Sequence, residues 1–159
     1  MKPRVYLETT ILSYLAANAS RDVVVAGNQQ VTHLLWQRRQ AFDFFVSRIV
    51  LVEMAQGNPE MARKRIELAE GIPILDVTDS VSALAEELVT RGPIPSTYAE
   101  DAMHIALATV HGMDFLATWN CSHIANAEFR SGFIETMDRV GYRCVQICTP
   151  NELLGENFL

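Results

Sequence analysis

The sequence predicts an α/β protein, a three-layer sandwich in which a central parallel sheet lies between helices. Short apolar runs alternate with helical segments from end to end, as crossover connections between parallel strands require. Five runs qualify as strands: Arg4 to Leu7, Phe42 to Val46, Ile72 to Leu75, Phe115 to Thr118 and Cys144 to Cys148. Helix start and stop signals fall in the intervals between them.

The first strand leads into a helix over Ile11 to Ala17, and a second helix spans Val23 to Arg39 and ends in the polar stretch Gln37, Arg38, Arg39 and Gln40. Asp43 interrupts the run from Phe42 to Val46, which leaves open that this segment joins a neighbouring helix. Ser47 caps a helix carrying Glu53, which Gly57 ends. Asn58 serves as the next N-cap with Pro59 at the first helical position, and that helix runs through Ala69 to stop near Gly71. Thr78 or Asp79 opens another, reaching Thr90 before Gly92, Pro93 and Pro95 break it. Thr97 and Glu100 form a T-x-x-E capping box ahead of AEDAMHIALATV, placing Asp101 in the first turns. Thr149 and Glu152 repeat the box, so a short C-terminal helix is expected over the end of the sheet. There is no internal repeat, low-complexity tract or linker, so residues 1–159 read as a single domain.

A chain of 159 residues buries most of its apolar surface without disulfides. With 49% hydrophobic and 20% charged residues, it is excluded from the disordered class. Cys121, Cys144 and Cys148 cannot all pair and show no C-x-x-C spacing, so they are expected to be reduced, small core residues in a cytoplasmic protein. No apolar stretch approaches the roughly 20 residues needed to cross a bilayer, and the N-terminal MKPRVYLETT has no signal-peptide core. The formal net charge of −6 argues against a broad electrostatic grip on nucleic acid. Any such contact must use local basic groups or a metal; the candidates are Arg38 with Arg39, Arg63 with Lys64 and Arg65, and Arg130, each of which also fits a solvated helix face.

The residues that stand out chemically are Glu8, Glu53, Asp101 and Asn120. In an open parallel sheet the ligand site lies beyond the carboxyl ends of the strands, where the strand order reverses. Glu8 follows one strand and Asn120 another, so both can face that crevice. Asp101 lies near the start of a helix apolar on nearly every side, where an unpaired acid is costly. Glu53 repeats the anomaly in IVLVEMA. Each has a plainer reading: Glu8 as a charge at a helix N-terminus, Glu53 as an exposed helical acid, Asp101 as the partner of His104 one turn on. Converging carboxylates repel unless a cation neutralises them, and a metal accounts for all three acids together. Oxygen-only ligands suit Mg²⁺ or Mn²⁺, whose chemistry favours phosphodiester hydrolysis.

At these residues the sequence resembles the PIN-domain family, which includes the VapC-type ribonuclease toxins of toxin-antitoxin pairs. VYLETTILSYL looks like the family's first strand with its terminal acid, IVLVEMA like its helical glutamate segment, EDAMHIALA like its helix-borne aspartate, DFLATWN like its last acidic strand end, and CTPNELL like the segment that often closes the domain. The resemblance implies strand order 3-2-1-4-5, endoribonuclease activity on RNA, and Mg²⁺ or Mn²⁺ held by Glu8, Glu53, Asp101 and Asn120, with Thr118 as a hydroxyl partner. It also implies a homodimer and a small antitoxin protein as partner.

Two positions depart from the family pattern: Glu8 replaces the usual aspartate, and Asn120 replaces a second aspartate, leaving an amide oxygen as its only ligand atom. His123, Asn126 and Glu128 follow, each able to supply a compensating contact or only loop and capping duties. The departure at Asn120 prompts an alternative, a weakly active or inactive PIN-fold module that binds RNA or a protein. A phosphoacceptor switch domain fits Asp76 and Thr118 superficially but lacks the adjacent acids and the lysine that such a domain needs.

Overall fold

A computed structural model describes residues 1–155. The last four residues of the span read as one domain lie outside it. β1 (Arg4–Leu7) is followed by α1 (Thr9–Ala16), α2 (Val23–Gln37) and a 3₁₀ turn over Arg39–Ala41. β2 (Asp43–Ser47), α3 (Arg48–Met54), α4 (Pro59–Ala69), β3 (Ile74–Leu75) and α5 (Asp79–Thr90) come next. A second 3₁₀ turn over Ser96–Tyr98 leads into α6 (Ala99–Val110), β4 (Phe115–Ala117), α7 (Ala127–Val140), β5 (Gln146–Cys148) and α8 (Pro150–Leu154).

The five strands form one parallel sheet in the order β3-β2-β1-β4-β5, as the sequence and its resemblance led us to expect. β1 lies at the centre, with Tyr6 opposite Phe45 on one side and Leu116 on the other. Val5, Tyr6 and Leu7 are each wholly buried at consecutive positions. Successive side chains on a strand point to opposite faces, so both faces of the sheet are covered at its centre. α1 packs on α2, α3 and α4, and α8 on α2, while α5 packs on α6 and α7. The chain builds outward from β1 to β3 on one side and then returns to place β4 on the other. The reversal therefore falls between β1 and β4.

Several boundaries differ from the expectation for local reasons. Asp43 does not break the second strand but begins it, exposed, with its N–H donated to the Pro3 carbonyl at 2.9 Å. β3 is shorter than Ile72 to Leu75 because Pro73 has no N–H to give the ladder; its carbonyl accepts from Val46 instead at 3.0 Å. Val145 turns its N–H to the Thr109 hydroxyl at 3.3 Å, which delays β5. The Thr97–Glu100 capping box does not form. Thr97 sits inside the 3₁₀ turn that follows Pro95, and Tyr98 occupies the N-cap of α6 without a side-chain cap. The Thr149–Glu152 box does form, with the Thr149 N–H 2.8 Å from the Glu152 carboxylate.

α7 is the element the sequence reading omitted. Its signals are a cap at Asn126, whose side chain accepts from the Glu128 N–H, a stripe of Phe129, Phe133 and Met137, and Gly141 at φ 85° past the end. Gly132 inside it reads as a helix breaker, yet a Cβ there would lie 3.1 Å from the Pro93 ring. The glycine lets α7 approach the loop between α5 and α6. Gly132→Val is expected to cost about 1–3 kcal/mol through overpacking, measured by urea denaturation; unchanged stability would show that the Pro93 loop yields freely.

Candidate metal site at the carboxyl ends of the strands

β1 ends at Leu7, and the next residue, Glu8, is the N-cap of α1. Its side chain is 3% exposed. One carboxylate oxygen, Oε2, accepts from the Thr10 N–H at 3.1 Å, from the Thr10 hydroxyl, and from the Thr118 hydroxyl at 2.7 Å. The helix-capping role is therefore real and coexists with placement in the crevice. Thr118 follows β4, and its oxygen also accepts the Asn120 N–H at 2.9 Å. The Thr10 hydroxyl accepts from the Trp119 N–H at 2.8 Å. The segment after β4 is thus tied to the start of α1 through one buried carboxylate.

β2 ends in Ser47, which caps α3 through a 3.3 Å bond from the Val50 N–H. α3 then carries Glu53 back over the crevice. Arg65 from α4 donates to the carbonyls of Met54 and Gln56 at 2.6–3.0 Å and closes the end of that helix. The Glu53 side chain is 23% exposed, and its Oε1 lies 2.7 Å from His104 Nε2. His104, 1% exposed on α6, faces the Tyr6 hydroxyl at 2.7 Å with its other nitrogen. Tyr6 in turn meets the Ser47 hydroxyl at 2.8 Å. A buried row Ser47–Tyr6–His104–Glu53 thus crosses from β2 through β1 to α6 and α3.

His104 is consequently not the partner of Asp101. Asp101 faces Asn120 and His123: the Asn120 amide donates to Oδ1 at 3.1 Å, and His123 Nδ1 lies 3.1 Å from Oδ2. The Asn120 oxygen accepts the His123 N–H at 3.1 Å. His123 stacks on Tyr98, ring centroids 3.7 Å apart. Asn126 keeps to capping α7, and Glu128 is exposed at its start. Arg63 and Lys64 pair with Glu67 and Glu60 on the surface of α4; Arg38, Arg39 and Arg130 are exposed.

One ligand atom each from Glu8, Glu53 and His104 lies within 4.8 Å of the others. Two carboxylate charges at this spacing repel by roughly 3 kcal/mol at an effective dielectric near 20. No lysine or arginine forms an ion pair with either acid among the described residues. The donor set fits a divalent cation, which would be held by two carboxylates and one imidazole. His104 was not among the expected ligands. Its position one turn beyond Asp101 was visible, but the pairing with Glu53, 51 residues away, was not.

Burial alone would depress the His104 pKa, but the Glu53 hydrogen bond and the charges of Glu8, Glu53 and Asp101 outweigh it and raise the value above 6.5. Burial likewise holds Tyr6 as the neutral phenol, and pushes the thiols of half-buried Cys144 and buried Cys148 up to about 11 and about 12; Cys121, expected in the core, is exposed.

No protein-family model matches the chain, and no curated protein sequence matches it. Among solved structures it resembles a chain of VapBC2 from Rickettsia felis, whose crystal structure was determined with a DNA fragment from the promoter. The identity is 15% and the TM-score 0.56, over 92% of this chain and 98% of that one. The fold is PIN-like. No helix among the described residues is long and apolar enough to cross a membrane.

Two outcomes follow. Thr118→Val removes a donor from Glu8 and leaves the Asn120 N–H without its acceptor, and is expected to cost about 1–3 kcal/mol in chemical denaturation. A raised folded pKa means that protonated His104 contributes its stabilisation fully below about pH 6.5 and loses it as pH rises through the folded value. In chelator, the melting midpoint of the wild type relative to His104→Gln should therefore fall as pH increases from about 6 to about 8; a difference independent of pH would reject that assignment.

Proposed function

We propose that this protein is a metal-dependent endoribonuclease that hydrolyses RNA phosphodiester bonds and acts as the toxin of a type II toxin-antitoxin pair. The observation that carries the reading is the convergence of Glu8, Glu53 and His104 at the strand-order reversal of a PIN-like sheet. The cation in this reading is Mg²⁺ or Mn²⁺. When bound, it supplies charge to stabilise a transferring phosphoryl group and acidity to an attacking water.

The chain's own residues divide the remaining work. Glu8 and Glu53 hold the ion. Thr118 orients Glu8, and Asn120 holds Asp101 toward the crevice with its amide while His123 braces the other oxygen. Asp101 and Asn120, both expected as ligands, are bonded to each other and in this reading complete the ion's surroundings. Exposed apolar side chains at Val23, Val24 and Val52 offer surface for a second copy and for a small antitoxin protein. A cytoplasmic location is part of the same proposal.

A second reading, a PIN-fold module of weak or no activity that binds RNA or a protein, draws on one observation: an amide stands at Asn120 and already spends its oxygen on the His123 N–H. The two readings separate by experiment. Purified protein with Mn²⁺ or Mg²⁺ is expected to cleave RNA, Asp101→Asn to abolish cleavage, and Asn120→Asp to strengthen metal binding. Cleavage that survives Asp101→Asn would show the site to be misassigned, and a melting midpoint indifferent to millimolar Mn²⁺ would favour the binding module.

A further inference from the structure

We propose that His104 Nε2 is itself a ligand of the cation, making this a two-carboxylate, one-imidazole centre that prefers Mn²⁺ and later first-row ions to Mg²⁺. This rests on the proposal above only in that the site holds a divalent cation; it does not require that RNA be cut.

His104 is held from behind. The Tyr6 hydroxyl meets Nδ1 at 2.7 Å and the Ser47 hydroxyl at 2.8 Å, so Tyr6 can accept the Nδ1 proton and pass its own to Ser47. That direction along the row keeps the proton on Nδ1, so the lone pair of Nε2, the nitrogen that faces Glu53, is free for a cation. A ligating histidine whose second nitrogen is fixed by an outer hydrogen bond has its ring orientation and tautomer set in advance. A cation held here would replace the proton that Nε2 shares with Glu53, while Tyr6 keeps its hold on Nδ1.

Glu8 supplies a second, independent observation. Its Oε2 accepts three hydrogen bonds, whereas no hydrogen bond among the described residues reaches Oε1. This nearly buried side chain, 3% exposed, thus keeps one oxygen free of protein partners and open to solvent, in a residue that groups with His104 and Glu53. Selectivity follows from the donor types. Mg²⁺ favours oxygen and sheds water reluctantly, whereas an imidazole nitrogen suits iron and the later first-row ions, with Mn²⁺ at the weak end of that series.

The test is pulsed electron paramagnetic resonance of Mn²⁺ bound to the full chain, which detects a directly coordinated nitrogen. Nitrogen coupling is expected in the wild type, retained in His123→Gln and lost in His104→Gln. Tyr6→Phe should lower Mn²⁺ affinity about 10–100-fold, and Mn²⁺ should raise the melting midpoint more than equimolar Mg²⁺. If His104→Gln does not fold, the wild type and His123→Gln spectra decide the matter. Bound Mn²⁺ showing only oxygen ligands in the wild type, or coupling that disappears in His123→Gln, overturns the inference while leaving the nuclease reading intact. Failure to bind Mn²⁺ at all overturns both. Nitrogen coupling without RNA cleavage upholds the inference and removes the nuclease.

Discussion

The Glu8 carboxylate is the joint on which the rest of the site depends. It caps α1, accepts the Thr118 hydroxyl from beyond β4, and lies beside His104 and Glu53. A buried charged acceptor that is satisfied on one side by three donors has little rotational freedom. The two chain segments that flank the strand-order reversal are thereby held in register with each other, and everything presented into the crevice inherits that geometry. A shorter aspartate at the same position would start its carboxylate one methylene nearer the backbone, so the threonines at 10 and 118 and the length of Glu8 belong together.

Two hydrogen-bonded groups meet at this joint. The row Ser47–Tyr6–His104–Glu53 links β2, β1, α6 and α3 through the interior. The group Thr118–Asn120–Asp101–His123 runs along the loop after β4 and onto the first turn of α6. α6 contributes to both because Asp101 and His104 sit one turn apart and neither is wasted on the other. The absent acid at position 120 is met by a different use of the position: its amide donates to Asp101, where a carboxylate would repel it. Negative charge in the crevice is lower by one than in an arrangement of four acids, and an imidazole lies among the candidate donors.

Much of the architecture was legible because it rests on local chemistry. The alternation of apolar runs and helices, Asn58 before Pro59, and the box at Thr149 and Glu152 each act within a few residues, and each formed. The failures were also local rules, overridden by neighbours. A 3₁₀ turn after Pro95 displaced the start of α6 from Thr97. The helix over Ala127–Val140 was not expected at all, and Gly132 inside it lies close against Pro93.

The sequence by itself determined that Glu8, Glu53 and Asp101 were chemically anomalous, since acids in apolar surroundings or at strand ends stand out without coordinates, and Asn120 joined them by its place after a strand and by the resemblance. It also determined that strand ends would bring some of them together. Only the tertiary structure decided the pairings: His104 with Glu53 and Tyr6, Asp101 with Asn120 and His123. Those contacts join residues from separate elements, and their partners are chosen by crossover helices and side-chain reach. One turn of helix made Asp101 and His104 look like a pair; the directions in which α6 presents them across the crevice made them members of two different networks.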